Sequence, residues 1–305
     1  MPVVGRVARE GKIARRLKLL SAALAVLVGL AAVSLSATWL AEAGSSSARD
    51  RFDFSGDWRL ARGPGDLTSA TAFDYTSLLA ESRDRMQLVR APSRRGTLSL
   101  ELTVRQGDYD HNGTSERCEL AANGVVYRPG DEFWVALSIY LPPTFPLPRP
   151  GSWALIHQFY GETGGEQTGS PPIALEVTPG GEFALTVRGG AKESSGSPAP
   201  EEATHPVARV TRAQWHDFLL HVRLAKDATG LVEVWHRLAG TRFSAASSVR
   251  ASGVNVLTVG GVDQDVYPET GYYRSTDPRP ATLYTNGLWI RSNRQAAEAF
   301  WPRAR

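Results

Sequence analysis

The sequence predicts an all-β protein, a two-sheet sandwich or jelly roll, on three observations. After Asp50, apolar and polar residues alternate in many short runs, the pattern of strands with one buried face. Turns rich in Gly and Pro separate these runs, as turns between strands do. Few stretches show the 3.6-residue period of a helix, and short strands joined by such turns are typical of all-β sandwiches and jelly rolls.

The clearest strands are "GTLSLELTVRQGD" and "DEFWVALSIYLP", in which every second residue is apolar. "PIALEVTPGGEFALTVRGG" predicts a hairpin that turns at residues 179–181, and "WHDFLLHVRLAKDATGLVEVWHR" predicts another that turns near 227–230. Two segments lack the strand pattern. "TSLLAESRDRMQLV" predicts a short helix, and "GGAKESSGSPAPEEATHP" predicts a long loop that either covers a binding face or is disordered.

Residues 1–43 have the composition of an export signal. Basic residues up to Lys18 precede an uncharged apolar run from Leu19 to about Ala41, and Ala41-Glu42-Ala43 fits a signal-peptidase site. Residues 44–50 form a flexible linker, and 51–305 form one domain. We expect export with cleavage, although a run of roughly 20 apolar residues is also long enough to remain as a membrane anchor. The domain is then secreted, or extracytoplasmic and tethered by an uncleaved N-terminal helix.

The charge of the domain argues against nucleic-acid binding, and its cysteine content excludes an internal disulfide. The formal net charge is +3, but the excess of basic residues lies in the N-terminal segment, so the domain is not basic enough to predict nucleic-acid binding. Cys118 is the only cysteine, which rules out an internal disulfide. It should be a buried thiol, because its neighbours Arg117 and Glu119 point the opposite way on a strand. We expect a monomer.

The stretch "GDYDHNGTSERCELA", residues 107–121, also matches the ligand spacing of a calcium-binding EF-hand loop. An EF-hand requires a helix on each side of its loop, whereas both flanking segments here have the strand pattern. We therefore interpret the stretch as a polar turn leading into the strand "SERCELA". A structural calcium ion held by Asp108 and Asp110 is the alternative, and no metal is predicted at a catalytic site.

Three segments expose polar side chains on one face of a predicted strand. These side chains are Arg117 and Glu119 in "SERCELA", Gln158 and Tyr160 in "GSWALIHQFYGE", and Tyr267, Glu269 and Tyr273 in "VYPETGYYRS". His157 falls on the opposite face of its strand, unless a β-bulge turns it round.

In this order and spacing, the segments resemble polysaccharide lyases of the β-jelly-roll type, in particular the glucuronan-lyase and heparin-lyase-I-like group. "ERCEL" resembles the Arg-x-Glu strand of that group, "HQFY" its Gln-x-His strand, and "YPETGYYRS" its Tyr-x-Lys-x-Gly-x-Tyr segment. The resemblance covers nearly all of the chain after the linker and implies a concanavalin-like two-sheet sandwich. It also implies that an acidic polysaccharide is cleaved beside a uronic acid by β-elimination, leaving unsaturated uronate ends, and that no organic cofactor is required.

The resemblance implies roles for individual residues. Gln158 and Arg117 would neutralise the substrate carboxylate, and Tyr273 would act as base and then acid, with Tyr160 or His157 as its partner. Because a free tyrosine has a pKa of roughly 10, we expect a nearby guanidinium to favour the phenolate of Tyr273. Candidate substrate-binding residues are Glu119, expected to orient Arg117, together with Tyr267, Glu269, Arg188 and Arg274.

Two residues depart from the family pattern. Tyr160 stands where the family has histidine, and Glu269 stands where it has lysine, a charge reversal beside a site meant to hold an anionic sugar. These departures leave the identity of the polysaccharide open.

Two other functions compete with the lyase. A retaining glycoside hydrolase on a similar sandwich commonly uses a Glu-x-Asp-x-x-Glu strand, and no such string occurs. The stronger alternative is a non-catalytic carbohydrate-binding, lectin-like jelly-roll module. It would stack sugars on aromatic residues such as Trp134, Trp153, Trp235 and Tyr160.

Overall fold

A computed structural model describes residues 54–55, 77–80, 83–94, 98–110, 113–122, 125–163, 166–167 and 169–301. These residues form two β-sheets with very little helix, as the sequence predicts. The predicted N-terminal signal or anchor helix and the linker lie outside this part of the chain. Among the residues described, no helix has both the length and the apolar character needed to cross a bilayer.

Eighteen strands lie within the described residues. They are β1 (Phe54–Ser55), β2 (Ser77–Ala80), β3 (Met86–Val89), β4 (Ser99–Val104), β5 (Ser115–Ala121), β6 (Glu132–Tyr140), β7 (Ala154–Thr163), β8 (Glu166–Gln167), β9 (Ile173–Val177), β10 (Glu182–Lys192), β11 (Glu201–Arg209), β12 (Trp215–Arg223), β13 (Leu231–Leu238), β14 (Val249–Ser252), β15 (Leu257–Val259), β16 (Val262–Asp263), β17 (Asp265–Ser275) and β18 (Ala281–Arg291).

The strands form an eight-stranded and a ten-stranded sheet. The first has the order β14-β13-β12-β6-β18-β4-β3, with β1 beside β18. The second, which we call the cleft sheet, has the order β16-β15-β10-β9-β7-β17-β5-β2, with β11 beside β10 and β8 beside β7. Strands distant in sequence are therefore neighbours, and β17 lies between β5 and β7.

The core consists of side chains from both sheets. Leu100, Leu102 and Val104 of β4 are fully buried, as the alternation in that segment predicts. Cys118 of β5 is also fully buried and belongs to the same cluster, which confirms the predicted buried thiol. Because successive residues of a strand point to opposite faces, burial of Cys118 directs Arg117 and Glu119 away from the core.

A short helix, α1 (Arg294–Glu298), follows β18. The side chain of Asn293 accepts a hydrogen bond from the backbone nitrogen of Ala296 and so caps its first turn. Phe300 and Trp301, which follow α1, form a second apolar cluster with Trp235, and Trp134 packs against it.

Two predicted elements differ from the structure. The expected helix at 76–89 is wrong: its described part is β2, a 3-10 turn at Arg83–Arg85 and β3. The expected loop at 189–206 is largely a hairpin, because β10 continues to Lys192 and β11 begins at Glu201. In the first segment, β2 and β3 pair with β5 and β4. In the second, β10 and β11 pair with each other.

Candidate active site

The outer face of the cleft sheet carries a cleft of about 800 Å³. Its lining includes Arg117 from β5, Gln158 and Tyr160 from β7, and Glu269 and Tyr273 from β17. Strand pairing explains this arrangement, because Tyr273 lies opposite Arg117 and Glu269 lies opposite Gln158. The three segments that the sequence analysis singled out therefore meet at one surface.

Gly271 lets β17 lie close against β5. A methyl group at this position would come within 2.2 Å of the carbonyl oxygen of Cys118 and 2.6 Å of the α-carbon of Glu119. Contacts below about 3 Å between such atoms are not tolerated without movement of the backbone. Glycine is thus required between Glu269 and Tyr273 for both side chains to keep their register with β5.

A β-bulge in β7 selects which of its side chains reach the cleft. The pairing of β7 with β9 shifts between Leu155 and His157, and Leu155, Gln158 and Tyr160 all line the cleft. The bulge does not bring the imidazole of His157 to this surface. Instead, the ring packs edge-on against Phe159, with 5.2 Å between ring centroids.

His157 is accordingly removed from the candidate catalytic groups. Its Nδ1 lies 3.0 Å from the hydroxyl oxygen of Thr270, and its Nε2 is buried with no hydrogen-bond partner. Burial lowers the pKa of His157 to about 4, because a charged imidazolium is poorly solvated there. A neutral imidazole on the core side of the sheet has no access to a sugar in the cleft.

Gln158 holds two buried carboxylates together. Its Nε2 lies 3.1 Å and 3.2 Å from the two carboxylate oxygens of Glu119, and 2.7 Å from Oε2 of Glu269. The amide has two N–H donors, so both are engaged with these carboxylates. Its Oε1 is buried without a partner. The amide that was expected to contact the substrate contacts the two glutamates instead.

The two glutamates resist ionising together. Burial, followed by the charge of Glu269, raises the pKa of Glu119 well above its usual value. Burial raises the pKa of Glu269 to about 7, against the opposing influence of Arg117 and Gln158. Two carboxylates on one amide share protons, because a second negative charge in a desolvated site is strongly disfavoured. Near neutral pH the pair therefore retains a proton.

Tyr273 contacts both Arg117 and Asp110. The guanidinium of Arg117 lies 5.6 Å from the centre of the phenol ring, and the hydroxyl donates a hydrogen bond of 2.9 Å to Oδ2 of Asp110. Burial is the largest influence on the pKa of Tyr273 and raises it, and Asp110 raises it further. The expected phenolate is therefore disfavoured in the substrate-free cleft, and the hydroxyl is a donor.

Asp110 is a site residue that the sequence analysis did not assign to the cleft. It was considered only as a calcium ligand, and nothing in its local pattern signals contact with a tyrosine far along the chain.

The described strands on either side of this turn, β4 and β5, exclude the helix pair of an EF-hand. Nε of Arg85 donates a hydrogen bond of 2.6 Å to Oδ2 of Asp108. Among the residues described, no group of three or more His, Cys, Asp or Glu could hold a metal ion. Calcium in this turn stays a prediction.

Three predicted substrate-binding residues have partners within the protein. The hydroxyl of Tyr267 donates to Glu162 at 3.2 Å. Arg188 lines the cleft but donates to Glu202 at 3.0 Å and 3.3 Å. Arg274 is 3% exposed, and its guanidinium pairs with the buried carboxylate of Glu116 at 2.8 Å.

Arg274 is therefore an internal ion pair and not a substrate ligand. Strand alternation already indicates this, because Arg274 follows Tyr273 and must point to the opposite face. Of the four aromatic residues considered for sugar stacking, Trp153 and Tyr160 line the cleft. Trp134 and Trp235 lie on the first sheet and pack with Arg294 of α1, so they are not part of this surface.

A model of the polysaccharide lyase family matches residues 63–288. The chain belongs to this family. The match confirms the sequence-based identification of the family and of the enzyme class, and favours a polysaccharide lyase over a non-catalytic carbohydrate-binding module.

Solved structures of polysaccharide lyases have the same fold. An endo-β-1,4-glucuronan lyase from the fungus Trichoderma reesei superposes with a TM-score of 0.58 at 17% identity, covering 79% of this chain and 96% of that one. An alginate lyase of the PL-14 group from Aplysia kurodai superposes with a TM-score of 0.56 at 11% identity, covering 79% of this chain and 99% of that one. At these identities the likeness establishes the fold alone. No curated protein sequence matches the chain.

Proposed function

We propose that this polysaccharide lyase is an exported enzyme that cleaves a uronic-acid-containing polysaccharide by β-elimination, leaving an unsaturated uronate at the new end. One observation carries the proposal. Arg117, Gln158, Glu269 and Tyr273 come from three neighbouring strands and line one cleft. Gln158 also donates to the buried Glu119 and to Glu269. These residues supply hydrogen-bond donors for a carboxylate and a hydroxyl that can transfer a proton.

The first requirement of the reaction is to neutralise the uronate carboxylate, because the proton on C5 is acidic only if that carboxylate can accept charge. Arg117 presents a planar fork of donors that suits a carboxylate. Glu269 lines the cleft, and burial raises its pKa to about 7, so part of the enzyme carries it protonated at neutral pH. Its neutral carboxyl donates a second hydrogen bond. Gln158 is then a positioning residue that keeps the two glutamates at one site.

The second requirement is a route for the proton. As the oxygen of Tyr273 takes the C5 proton, the phenol gives its own proton to Asp110 along the existing 2.9 Å hydrogen bond. The carbanion then expels O4 as the C4–O4 bond breaks. O4 takes a proton from Tyr273, and Asp110 returns its proton to the phenol. The protonated states of the enzyme are restored, and no cofactor is needed because the substrate carboxylate serves as the electron sink.

Export is the second part of the proposal and is supported by residues 1–43 alone. The basic start, the apolar run and the small-residue site at Ala41-Glu42-Ala43 match a cleavable signal. Sequencing the amino terminus of the protein recovered from the culture medium and from membranes distinguishes cleavage after Ala43 from an uncleaved anchor.

The activity is tested by incubating the purified domain with glucuronan, alginate, heparin-type and pectic polymers while following the ultraviolet absorbance of unsaturated uronates. We expect this chromophore with one class of polymer. New reducing ends without the chromophore would indicate hydrolysis. Retention of a polymer without any product would indicate a binding module, and either result would overturn the proposal.

A further inference from the structure

The half of the cleft formed by β9, β10 and β11 has a different character from the half around Tyr273. Its lining includes Glu176 from β9, Thr186 and Arg188 from β10, and Glu202 and Thr204 from β11. The two threonine hydroxyls lie 2.9 Å apart and hydrogen-bond to each other. We call this half the acceptor end, because carboxylates and hydroxyls make up most of its polar lining.

Arg188, the one arginine in the described lining of the acceptor end, already has partners within this chain. Nε and Nη2 of Arg188 donate to the two carboxylate oxygens of Glu202 at 3.0 Å and 3.3 Å, and Nη1 donates to the carbonyl oxygen of Pro171 at 3.0 Å. Nη2 also lies 3.9 Å from Oε1 of Glu176. A guanidinium whose three nitrogens already donate to protein oxygens has fewer donors and less positive charge to offer a sugar.

Lys192, near this end of the cleft, does not belong to the described lining, and burial lowers its pKa. The ammonium of Lys192 is 2.8 Å from the carbonyl oxygen of Ser195 in the β10–β11 turn, and Lys192 is 7% exposed. Over the whole cleft the described lining carries two arginines against three glutamates. A cleft built for a run of uronates would carry the opposite balance, since adjacent carboxylates need cations to offset their desolvation.

An uncharged sugar fits the acceptor end better than a uronate does. The carboxylates of Glu176 and Glu202 accept hydrogen bonds, and sugar hydroxyls donate them. A second uronate placed there would meet two acidic side chains against a single arginine that already pairs with Glu202, and a net excess of like charge at short range in a partly desolvated cleft is unfavourable. The charges at the two ends of the cleft therefore select different sugars.

We propose that this cleft binds one uronate at the Arg117–Tyr273 end and an uncharged sugar at the acceptor end. The substrate is then a polysaccharide in which neutral sugars separate the uronates, rather than a polyuronate such as glucuronan or alginate. This inference rests on the proposed function and goes beyond it by naming the class of polymer.

The experiment compares polymers that share a linkage and differ only in uronate density. One pair is a β-1,4-glucan oxidised at C6 on every residue and the same glucan oxidised on every second residue on average. The second pair is alginate and alginate in which part of the carboxyls are reduced to alcohols. Initial rates are compared at equal uronate concentration. Binding of the Tyr273→Phe variant is measured separately by electrophoresis through gels containing each polymer.

We expect the sparsely charged member of a pair to be preferred by about tenfold, the factor of one like-charge contact at a partly exposed site. The double variant Glu176→Gln/Glu202→Gln removes both carboxylates and releases Arg188, so it should lose this preference or reverse it. Glu182→Gln is the matched control. It lies on β10 outside the described cleft lining, and its exposed carboxylate is 3.6 Å from Arg209, so it should leave the preference unchanged.

Different results would overturn the proposed β-elimination and the proposed class of polymer. Absence of the unsaturated product from every polymer overturns the proposed β-elimination, while the ratio of binding affinities still decides the polymer class. Preference for the fully charged member, equal binding of both members, binding of neither, or a preference that the double variant leaves intact overturns the inference.

Discussion

The phenol of Tyr273 donates a hydrogen bond to the carboxylate of Asp110 with 2.9 Å between the oxygens, although 163 residues separate the two in the chain. The bond joins the C-terminal part of β17 to the turn before β5. Burial raises the pKa of Tyr273. Asp110 is a neighbouring group that can accept the proton of this phenol. In the proposed mechanism this acceptor replaces the phenolate that the sequence analysis expected.

Tyr273→Phe should reduce turnover by at least about 10²-fold, because the variant has no hydroxyl to exchange protons with C5 and O4. Affinity for the polymer should change little, since the ring and its contact with Arg117 remain. Formation of the unsaturated product and binding are measured separately. Tyr284→Phe, on the first sheet, is the control and should retain activity. Turnover by Tyr273→Phe would show that another group is the base.

Asp110→Asn tests the proton acceptor. Asparagine keeps an oxygen that can accept the tyrosine hydrogen bond but cannot take up its proton, so kcat should fall by about 10²-fold with KM nearly unchanged. Asp227→Asn, in the β12–β13 turn, is the matched control. A loss confined to KM would assign Asp110 to substrate binding instead, and thermal unfolding of each variant checks that the loss is not structural.

Glu269→Gln tests the protonated carboxyl through pH. Loss of the proton with rising pH through about 7 should lower wild-type activity, because the ionised group repels the substrate carboxylate. Glutamine stays neutral and still donates a hydrogen bond, so the variant should keep its activity at higher pH. Profiles of kcat/KM from pH 5 to 9 compare the two enzymes. Identical alkaline limbs would contradict this role.

The same substitution has a predicted effect on stability. The pKa of Glu269 is higher in the folded protein, about 7, than its ordinary value of 4.5, so the folded state binds the proton more tightly. The protonated carboxyl of Glu269 contributes its full stabilisation below pH 4.5, and this contribution is lost as pH rises through about 7. Glu269→Gln should therefore gain roughly 3 kcal/mol relative to wild type at pH 8 and almost no advantage at pH 4. Urea unfolding at both values measures the difference.

Arg274→Met should destabilise the fold by about 3–5 kcal/mol, because it leaves the buried carboxylate of Glu116 without its partner. The double variant Arg274→Met/Glu116→Gln removes both charges and should recover part of the loss. Arg209→Met breaks an exposed pair with Glu182 and should cost under about 1 kcal/mol. If Arg274→Met weakened polymer binding and left urea unfolding unchanged, the residue would belong to the substrate site after all.

Alternation along the strands, read from the sequence alone, determined the all-β class and much of the cleft. It predicts that Arg117 shares a face with Glu119 and that Gln158 shares a face with Tyr160, and it buries Cys118 behind them. This succeeds because side-chain direction in a strand has a fixed period of two, which local sequence carries. Family motifs, also local, identified the polysaccharide lyase.

Only the tertiary structure decided which side chains meet. Alternation assigns a residue to a face but not to a sheet or a partner, and these depend on the register between strands far apart in the chain. That register pairs Tyr273 with Asp110, joins Glu119 to Glu269 through Gln158, and places Trp134 and Trp235 on the other sheet. Arg188 meets Glu202 across the β10–β11 hairpin. The charge of the cleft, on which the proposed substrate depends, follows from these pairings.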